Sequence, residues 1–555
     1  MTQVPLTPRP AATLVLVRDS RNGMEVLMVQ RSHRAAFIPG GYVFPGGAVD
    51  PEDSDPAFLD CIGGMDDARA SSILNLERGG LAFWIAALRE CFEEAGLLLA
   101  YDGNGKLVGN DSSAAIERVR AEIANGNGNF IALCRNFGLQ LALDRMNYFA
   151  HWTTQLKAPR RFTTRFFAMV APGGQTVSHD QTETIHHLWI NPSEALERHR
   201  SGHMPMAFAT SKTLEMLSMF NEADAFIAHV RTIKSPPLLF PRFARSGTSD
   251  CILLDDHPAY AEIGKLDRTG AGTFSCEIVP GEVTQISDRV RRLTAPNAGI
   301  MTGPGTNTYV LGMEEGFAVI DPGPADDAHM DRLLAMTNGR IRWILVTHTH
   351  LDHSSAAARI KECTGARLLG RPANHHEWQD NDFHPDIVLK DGETLEIAGC
   401  RLSAVHTPGH ASNHVCYFLH DENLLFTGDH IMQGSTVVIN PPDGDMAAYI
   451  QSLLKIKNLN ADYLAPGHGF LMDRPRQVIE RLLRHRLGRE QKIIESLSRI
   501  ETGRLWDLVP LAYDDVPEHK HRAASRSLLA HLLKLRAEGR VTESNDAWTL
   551  ASDTI

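Results

Sequence analysis

Short apolar runs closed by Gly- and Pro-bearing turns alternate with longer helical patterns along this chain, and their texture changes three times. Ala12-Thr13-Leu14-Val15-Leu16-Val17 reads as a strand, the chain turns between Asp19 and Gly23, and Val26-Leu27-Met28-Val29 resumes the strand. A Gly/Pro-rich loop leads from there to a helical pattern over Leu81 to Ala100. Between Ser235 and Glu282 no periodicity is sustained, and Pro236-Pro237 and Pro241 predict a linker lying against a neighbour. From 285 to 485, short apolar strands such as Ala318-Val319-Ile320 run into turns such as Asp321-Pro322-Gly323. This alternation predicts layered sheets with outer helices. After Arg489 the pattern is helical and ends in a hairpin-like tail. The expected segments are therefore 1–234, a connecting segment 235–284, then 285–488 and 489–555.

The length of 555 residues exceeds what one hydrophobic core organises, which agrees with several domains. Hydrophobic residues at 43% and charged residues at 22% exclude a disordered or a membrane class, and no run approaches the ~18 apolar residues of a span. Met1 to Pro10 carries three prolines and no signal-type apolar core, so cytoplasm is the default expectation. Eight cysteines without a Cys-x-x-Cys pair read as reduced thiols. A formal net charge of -12 disfavours whole-surface attraction to nucleic acid, so any such binding needs a local basic patch.

Chemistry concentrates in two places. Thr347-His348-Thr349-His350-Leu351-Asp352-His353 sets three imidazoles and a carboxylate directly after the apolar Trp343-Ile344-Leu345-Val346, which is how a strand end presents ligands to a transition metal. Zinc, iron and manganese all suit these donors, and the remaining ligands must come from distant turns. Thr407-Pro408-Gly409-His410, Thr427-Gly428-Asp429 and Pro466-Gly467-His468 each supply one. His375, His376, His384, His420 and His430 lack this strand-then-turn setting and read as solvated or packing residues.

The second place is Arg89-Glu90-Cys91-Phe92-Glu93-Glu94-Ala95-Gly96-Leu97, inside the predicted helix. Glu90, Glu93 and Glu94 share one helix face, where they repel unless a cation joins them, and hard oxygen donors suit Mg²⁺ or Mn²⁺. Arg89 can pair with one of them. Upstream, Phe44-Pro45-Gly46-Gly47 forms a tight loop able to approach a phosphate chain.

These residues resemble the Nudix box, whose family hydrolyses nucleoside diphosphates linked to another moiety and folds as an α/β/α sandwich. The resemblance implies metal binding by Glu93, Glu94 and Glu90, with Arg31, Gly46, Gly47 and Arg89 facing substrate. Glu183, in a polar run after Phe166 to Val170, is a candidate to deprotonate the water. Relative to the usual box, roughly forty residues intervene between the glycine and the arginine-glutamate pair, including an insertion over Asp50 to Gly80, which leaves the acidic residue of the first half unassigned. Leu27-Met28-Val29-Gln30-Arg31-Ser32, Gly40 and Phe44-Pro45-Gly46-Gly47 also look like the coenzyme A signature of the coenzyme A diphosphatase branch. Ala36 stands where that signature has arginine.

The histidine set resembles the metallo-β-lactamase-fold hydrolases, an αββα sandwich. The resemblance implies one metal held by His348, His350 and His410, a second held by Asp352, His353 and His468, and Asp429 bridging them. Zn²⁺ is expected, with Mn²⁺ or Fe²⁺ as alternatives, and a shared hydroxide as nucleophile. Asp429 and Asp352 are thus expected at the catalytic centre, alongside Glu93 and Glu94 at the first site, and Asp321 is expected to orient a ligand histidine. Asn297-Ala298-Gly299, Thr302 to Tyr309 and His485 to Gln491 look like the lactamase-β-2-like branch, which includes a single-strand RNA endonuclease and thioester-cleaving relatives and carries a C-terminal winged helix. Here Ala523 to Glu538 reads as its helix, with Arg526, Lys534 and Arg536 at polar positions, and 539–550 as its wing.

The fold expectation is thus multidomain α/β and α+β: Nudix-like, metallo-β-lactamase-like and winged-helix. The function expectation is a hydrolase with one site for a pyrophosphate, in coenzyme A or a nucleoside-diphosphate derivative, and another for an RNA phosphodiester or an acyl thioester. Two alternatives stay open. The Nudix-like half can be a silent ligand-binding sensor, and the winged helix can either guide single-stranded RNA or close the cleft as a lid.

Overall fold

The computed structural model describes residues 6–35, 38–109, 114–124, 128–178, 183–313 and 316–551. It divides into two compact units, Met1–Pro241 and Arg242–Ile555. Ala36 lies outside the described residues.

In the first unit, Arg9–Ser20 and Gly23–Arg31 form an antiparallel hairpin whose register closes at Ser20 and Gly23. Phe162–Val170 pairs in parallel with Arg9–Ser20, and Asn147–Thr153 extends the sheet beyond it. The Leu81–Ala95 helix packs on one face through Trp84, Leu88, Cys91 and Phe92, against the inward set Leu14, Leu16, Phe167 and Met169. That period of two along the strands buries alternate residues under the helix. The helix ends at Ala95 rather than at Ala100, because Gly96 adopts the left-handed conformation (φ 70°) and its N–H caps Phe92 O. Leu97 to Ala100 remain buried, which is why their apolar pattern continued the helix in sequence.

Residues 235–284 are folded rather than free. Leu238–Leu239 adds a short strand beside Asn147–Thr153. Arg242–Ser246 and Ser249–Leu253 form a hairpin in the second unit, and the Tyr260–Leu266 helix places Glu262 in a fully buried ion pair with Arg292 at 2.6 Å.

The second unit is built on two sheets. One runs Val283–Gln285, Val290–Thr294, Asn307–Met313, Gly316–Ile320, Ile341–Leu345, Arg367–Gly370 and Ile387–Val388, and the other holds six strands from Thr394–Ile397 to Met472–Asp473. Tyr309, Leu311, Ala318, Ile320 and Leu345 face Leu402, Tyr417, Leu424 and Phe426 between the sheets. The alternate residues Val310, Phe317, Val319 and Ile344 meet the Asp327–Met336 and Ala357–Thr364 helices on the outside. On the other outer face, Val405, Cys416 and Leu425 meet Met446–Lys457. Both sheets are therefore apolar on both faces, which an αββα sandwich requires.

The Pro475–Ile500 helix carries straight through the 488/489 boundary expected from sequence. Ile479 packs on the sandwich, whereas Ile493 and Leu497 sit in a separate core with Leu508, Leu528, Leu532 and Trp548. That core belongs to Leu505–Ala512, His521–Ala537 and a three-stranded sheet with Val541–Ser544 and Ala547–Leu550 as its hairpin, a winged helix.

Candidate functional site

In the second unit each ligand-bearing loop leaves the C-terminal end of a strand: Ile341–Leu345 precedes His348, Cys400–His406 precedes His410, Leu424–Gly428 precedes Asp429, and Tyr463–Pro466 precedes His468. The ring nitrogens His348 Nε2 and His350 Nδ1 lie 3.0 Å apart, and His410 Nε2 lies 3.1 Å from His350 Nδ1. Asp352, His353 and His468 form a second group, with Asp352 Oδ2 at 3.4 Å from His353 Nε2 and 3.5 Å from His468 Nε2. Asp429 stands between the groups: Oδ1 is 3.3 Å from His468 Nε2 and 3.4 Å from His353 Nε2, and Oδ2 is 3.7 Å from His410 Nε2. In each of the sets His348-His350-His410, His348-His353-Asp429 and Asp352-His353-His468 the donor atoms lie within 4.8 Å of one another.

These donors fit metal ions. Buried His353 Nε2 and Asp429 Oδ1 have no hydrogen-bond partner among the described residues, a cost of about 1–3 kcal/mol each unless an ion satisfies them. Burial, reinforced by the neighbouring imidazoles, holds His348 well below its ordinary value and His350 down at about 3, so both offer neutral lone pairs. Against its own burial, His353 is raised by Asp352, Asp429 and Asp321. A Cβ on Gly467 would stand 2.7 Å from Asp429 Oδ1 and from His353, so only glycine lets the strand pass this close to the cluster.

The rings are aimed by their other nitrogens. Asp321 Oδ2 accepts from His353 Nδ1 at 2.9 Å and from Thr347 Oγ1 at 2.8 Å, while Oδ1 accepts from Thr347 N–H. His410 Nδ1 faces Val438 O and His468 Nδ1 faces Gly305 O. Thr306 Oγ1 donates to Asp352 at 3.1 Å and is itself held by Asn297, and Asn307 Nδ2 donates to Pro466 O and Gly469 O on either side of His468. The Asn297-to-Tyr309 stretch thus acts through the ligands. His414 was not singled out in sequence: its ring stacks on His348 at 5.2 Å, and buried His430 packs between it and Tyr449.

The cluster opens into a cleft of about 500 Å³. Ile300, Met301, Leu351 and Trp378 line it while remaining 98%, 55%, 58% and 60% exposed, and Tyr513, Lys520 and Arg526 close its other wall from the winged helix. Lys534, Arg536 and Arg540 point elsewhere. Lys534 pairs with Glu490 at 2.8 Å and Glu538 at 2.9 Å, Arg540 with Glu490, and Arg536 with Glu543. The basic residues that sequence groups together are split by the structure.

At the first site the three glutamates share the Leu81–Ala95 helix face, but the tight three-donor sets among the described residues all lie in the second unit. Glu90 and Glu93 accept from Arg89 Nη1 at 3.0 and 3.3 Å, and Glu94 Oε2 accepts from Gly46 N–H at 2.9 Å. Arg89 is held chiefly by Asp53, which takes Nε at 2.9 Å and Nη2 at 3.0 Å. Asp53, six residues after Gly47, is thus the buried carboxylate that anchors the arginine of the helix. Burial raises Glu94 well above the ordinary range and pushes Glu90 up to about 8, with Glu93 adding and Arg89 opposing. Crowded, buried carboxylates of this kind fit a hard divalent cation. Gly47 lies under them, where a Cβ would meet the Glu90 carboxylate at 2.4 Å. Glu183 is exposed, and its charge raises Glu90, Glu93 and Glu94. Arg31 exerts the opposite influence on Glu94, and its buried Nε has no hydrogen-bond partner among the described residues.

Family models match this layout: the metallo-beta-lactamase superfamily over residues 301–468, the beta-lactamase associated winged helix domain over 505–548, the NUDIX domain over 7–112 and the NUDT19 Nudix domain over 66–210. The chain is 31% identical over 282 residues to a beta-lactamase-like protein 2 homolog of Drosophila melanogaster, covering 48% of this chain and 94% of that protein. It is 31% identical over 245 residues to an atrochrysone carboxyl ACP thioesterase of Aspergillus fumigatus, covering 42% and 73%. A NUDIX hydrolase from Alicyclobacillus acidocaldarius of known structure shares 30% identity, covers 40% of this chain and 96% of its own, and superposes with a TM-score of 0.35. The chain belongs to the metallo-β-lactamase superfamily and is a hydrolase in which that domain, with its associated winged helix, follows a Nudix domain.

Proposed function

We propose that the metallo-β-lactamase site hydrolyses acyl thioesters and that the Nudix site cleaves a pyrophosphate linkage of the coenzyme A or nucleoside-diphosphate type. The observation that carries the first reading is the apolar wall of the cleft. Ile300, Met301, Leu351 and Trp378 expose large hydrophobic surfaces beside the ligand cluster, which suits an acyl chain. The pairing of Lys534, Arg536 and Arg540 with carboxylates removes them from a phosphate footprint. The similarity to a protein named as a thioesterase supports the same choice.

His348, His350 and His410 would hold one metal, Asp352, His353 and His468 a second, and Asp429 would join them. Bound there, the ions would supply a lowered pKa for water and charge stabilisation at the substrate carbonyl. The chain's own part is positional: Asp321 fixes His353, Thr306 fixes Asp352, and the winged helix closes the wall of the cleft opposite the apolar one. In the Nudix site Glu90, Glu93 and Glu94 would hold Mg²⁺ or Mn²⁺ against the pyrophosphate, with Arg89 kept charged by Asp53 and its neighbours.

The test is thiol release from a long-chain acyl-coenzyme A by the metal-loaded full chain. Release that disappears in Asp429→Ala is expected. Cleavage of a single-stranded RNA oligonucleotide with no thiol released would overturn the thioester reading.

A further inference from the structure

The winged helix contributes to the metal cleft in a way its basic residues alone do not reveal. Lys534, Arg536 and Arg540 face away from the cleft and carry carboxylate partners, and Arg522 lines a separate pocket. Lys520 and Arg526 line the cleft, and neither has an ion pair among the described residues. Arg526 instead lies 5.6 Å from the ring of Trp378, whose positive φ of 68° is a strained conformation for a bulky residue. Tyr513, only 6% exposed, also lines the cleft, and its hydroxyl has no hydrogen-bond partner among the described residues. A buried hydroxyl without a partner costs about 1–3 kcal/mol, which a ligand oxygen would recover.

The lining carboxylates do not cancel these cations. Asp352 and Asp429 belong to the metal cluster, Asp443 accepts from Ser412 and Gln379, and exposed Glu377 forms no ion pair with either cation among the described residues. The cleft therefore has three regions: the ligand cluster, an apolar wall at Ile300, Met301 and Leu351, and a cationic wall donated by another domain. A substrate spanning all three carries an acyl chain, a scissile bond and a phosphate.

Resting on the thioesterase reading, we propose that Lys520, Arg526 and Tyr513 form a phosphate subsite that recognises the phosphopantetheine end of the acyl thioester. The winged helix is then a specificity element of the hydrolase. Lys520 and Arg526 supply charge, Tyr513 supplies a directed O–H donor, and Trp378 keeps the guanidinium over the cleft mouth.

The experiment compares two substrates of the metal-loaded full chain, an acyl-phosphopantetheine and the same acyl group on N-acetylcysteamine, which lacks the phosphate. In Lys520→Ala/Arg526→Ala, kcat/KM for the phosphorylated substrate should fall at least tenfold while the other is unchanged, and Tyr513→Phe should show a smaller fall with the same selectivity. In parallel, calorimetry with 4′-phosphopantetheine reads the subsite without turnover: wild type binds and the double variant does not. An equal fall on both substrates, or no fall, overturns the subsite. If neither thioester is hydrolysed but the double variant still loses phosphopantetheine binding, the subsite stands and the thioesterase reading fails. Loss of single-stranded RNA cleavage in the variant, with phosphopantetheine binding intact, would assign the cations to nucleic acid and overturn the proposal.

Discussion

Asp53 offers a sharp test of how the Nudix insertion is used. Its carboxylate is 2% exposed and holds Arg89 at two points, Nε and Nη2, while Arg89 is itself buried on the helix that carries the glutamates. Removing one partner of a buried pair leaves the other charge uncompensated, at a cost of about 3–5 kcal/mol. Arg89 would keep Glu90, Glu93 and Ala48 O, so Asp53→Ala should fall at the lower end, about 3 kcal/mol. For a unit of this size that corresponds to roughly 6–12 °C in Tm. The freed guanidinium would also turn fully onto Glu90 and Glu93, so the affinity for Mg²⁺ should drop. Thermal unfolding of the full chain followed by circular dichroism, with Mg²⁺ titration by calorimetry, measures both. In Arg89→Met/Asp53→Leu the buried charge is gone on both sides, and the double variant should recover most of the stability lost by Asp53→Ala. A loss under about 1 kcal/mol, or a double variant no better than the single one, would refute the reasoning.

The metallo domain should bind two metal ions per chain by elemental analysis, and Asp429→Ala should lower that number and abolish its activity while the Nudix activity remains; one ion or none in the wild type would refute a dinuclear site. Glu93→Gln and Glu94→Gln should each remove Mg²⁺- or Mn²⁺-dependent diphosphatase activity while leaving Tm level or slightly raised, because like charges on the helix face are relieved; a large drop in Tm would make these residues structural. Glu90 is held at about 8, above its ordinary 4.5, so its contribution to stability is complete below pH 4.5 and is lost as pH rises through about 8. The metal-free Nudix unit should therefore lose Tm across that window, and added Mg²⁺ should flatten the profile; a metal-free Tm that rises from pH 5 to 8 would contradict it.

The second site was legible because metal ligation forces recognisable spacing. His348, His350, Asp352 and His353 lie in one loop, and each distant ligand follows a strand and a turn, so sequence alone names the residues that the fold gathers. What supports them was less legible. Thr306 and Asn297 act through hydrogen bonds to Asp352 across the fold, and His414 matters by stacking, which no spacing rule reports. Asp53 was hidden because its partner Arg89 lies thirty-six residues away, on the far side of the insertion. The charge pattern of the winged helix misled, since helical position does not reveal that Glu490 on another helix neutralises Lys534 while Arg526 faces the cleft. Residues 235–284 lacked periodicity because short strands and one short helix are held by pairs such as Glu262 with Arg292.

A single acyl-coenzyme A incubated with the metal-loaded full chain, its products resolved by mass spectrometry, tests the central claim of two independent hydrolytic sites. The account predicts free fatty acid and coenzyme A thiol from the metallo site, lost only in Asp429→Ala, and adenosine 3′,5′-bisphosphate from the Nudix site, lost only in Glu94→Gln. Intact substrate in the wild type, or both product sets vanishing with either substitution, would contradict it.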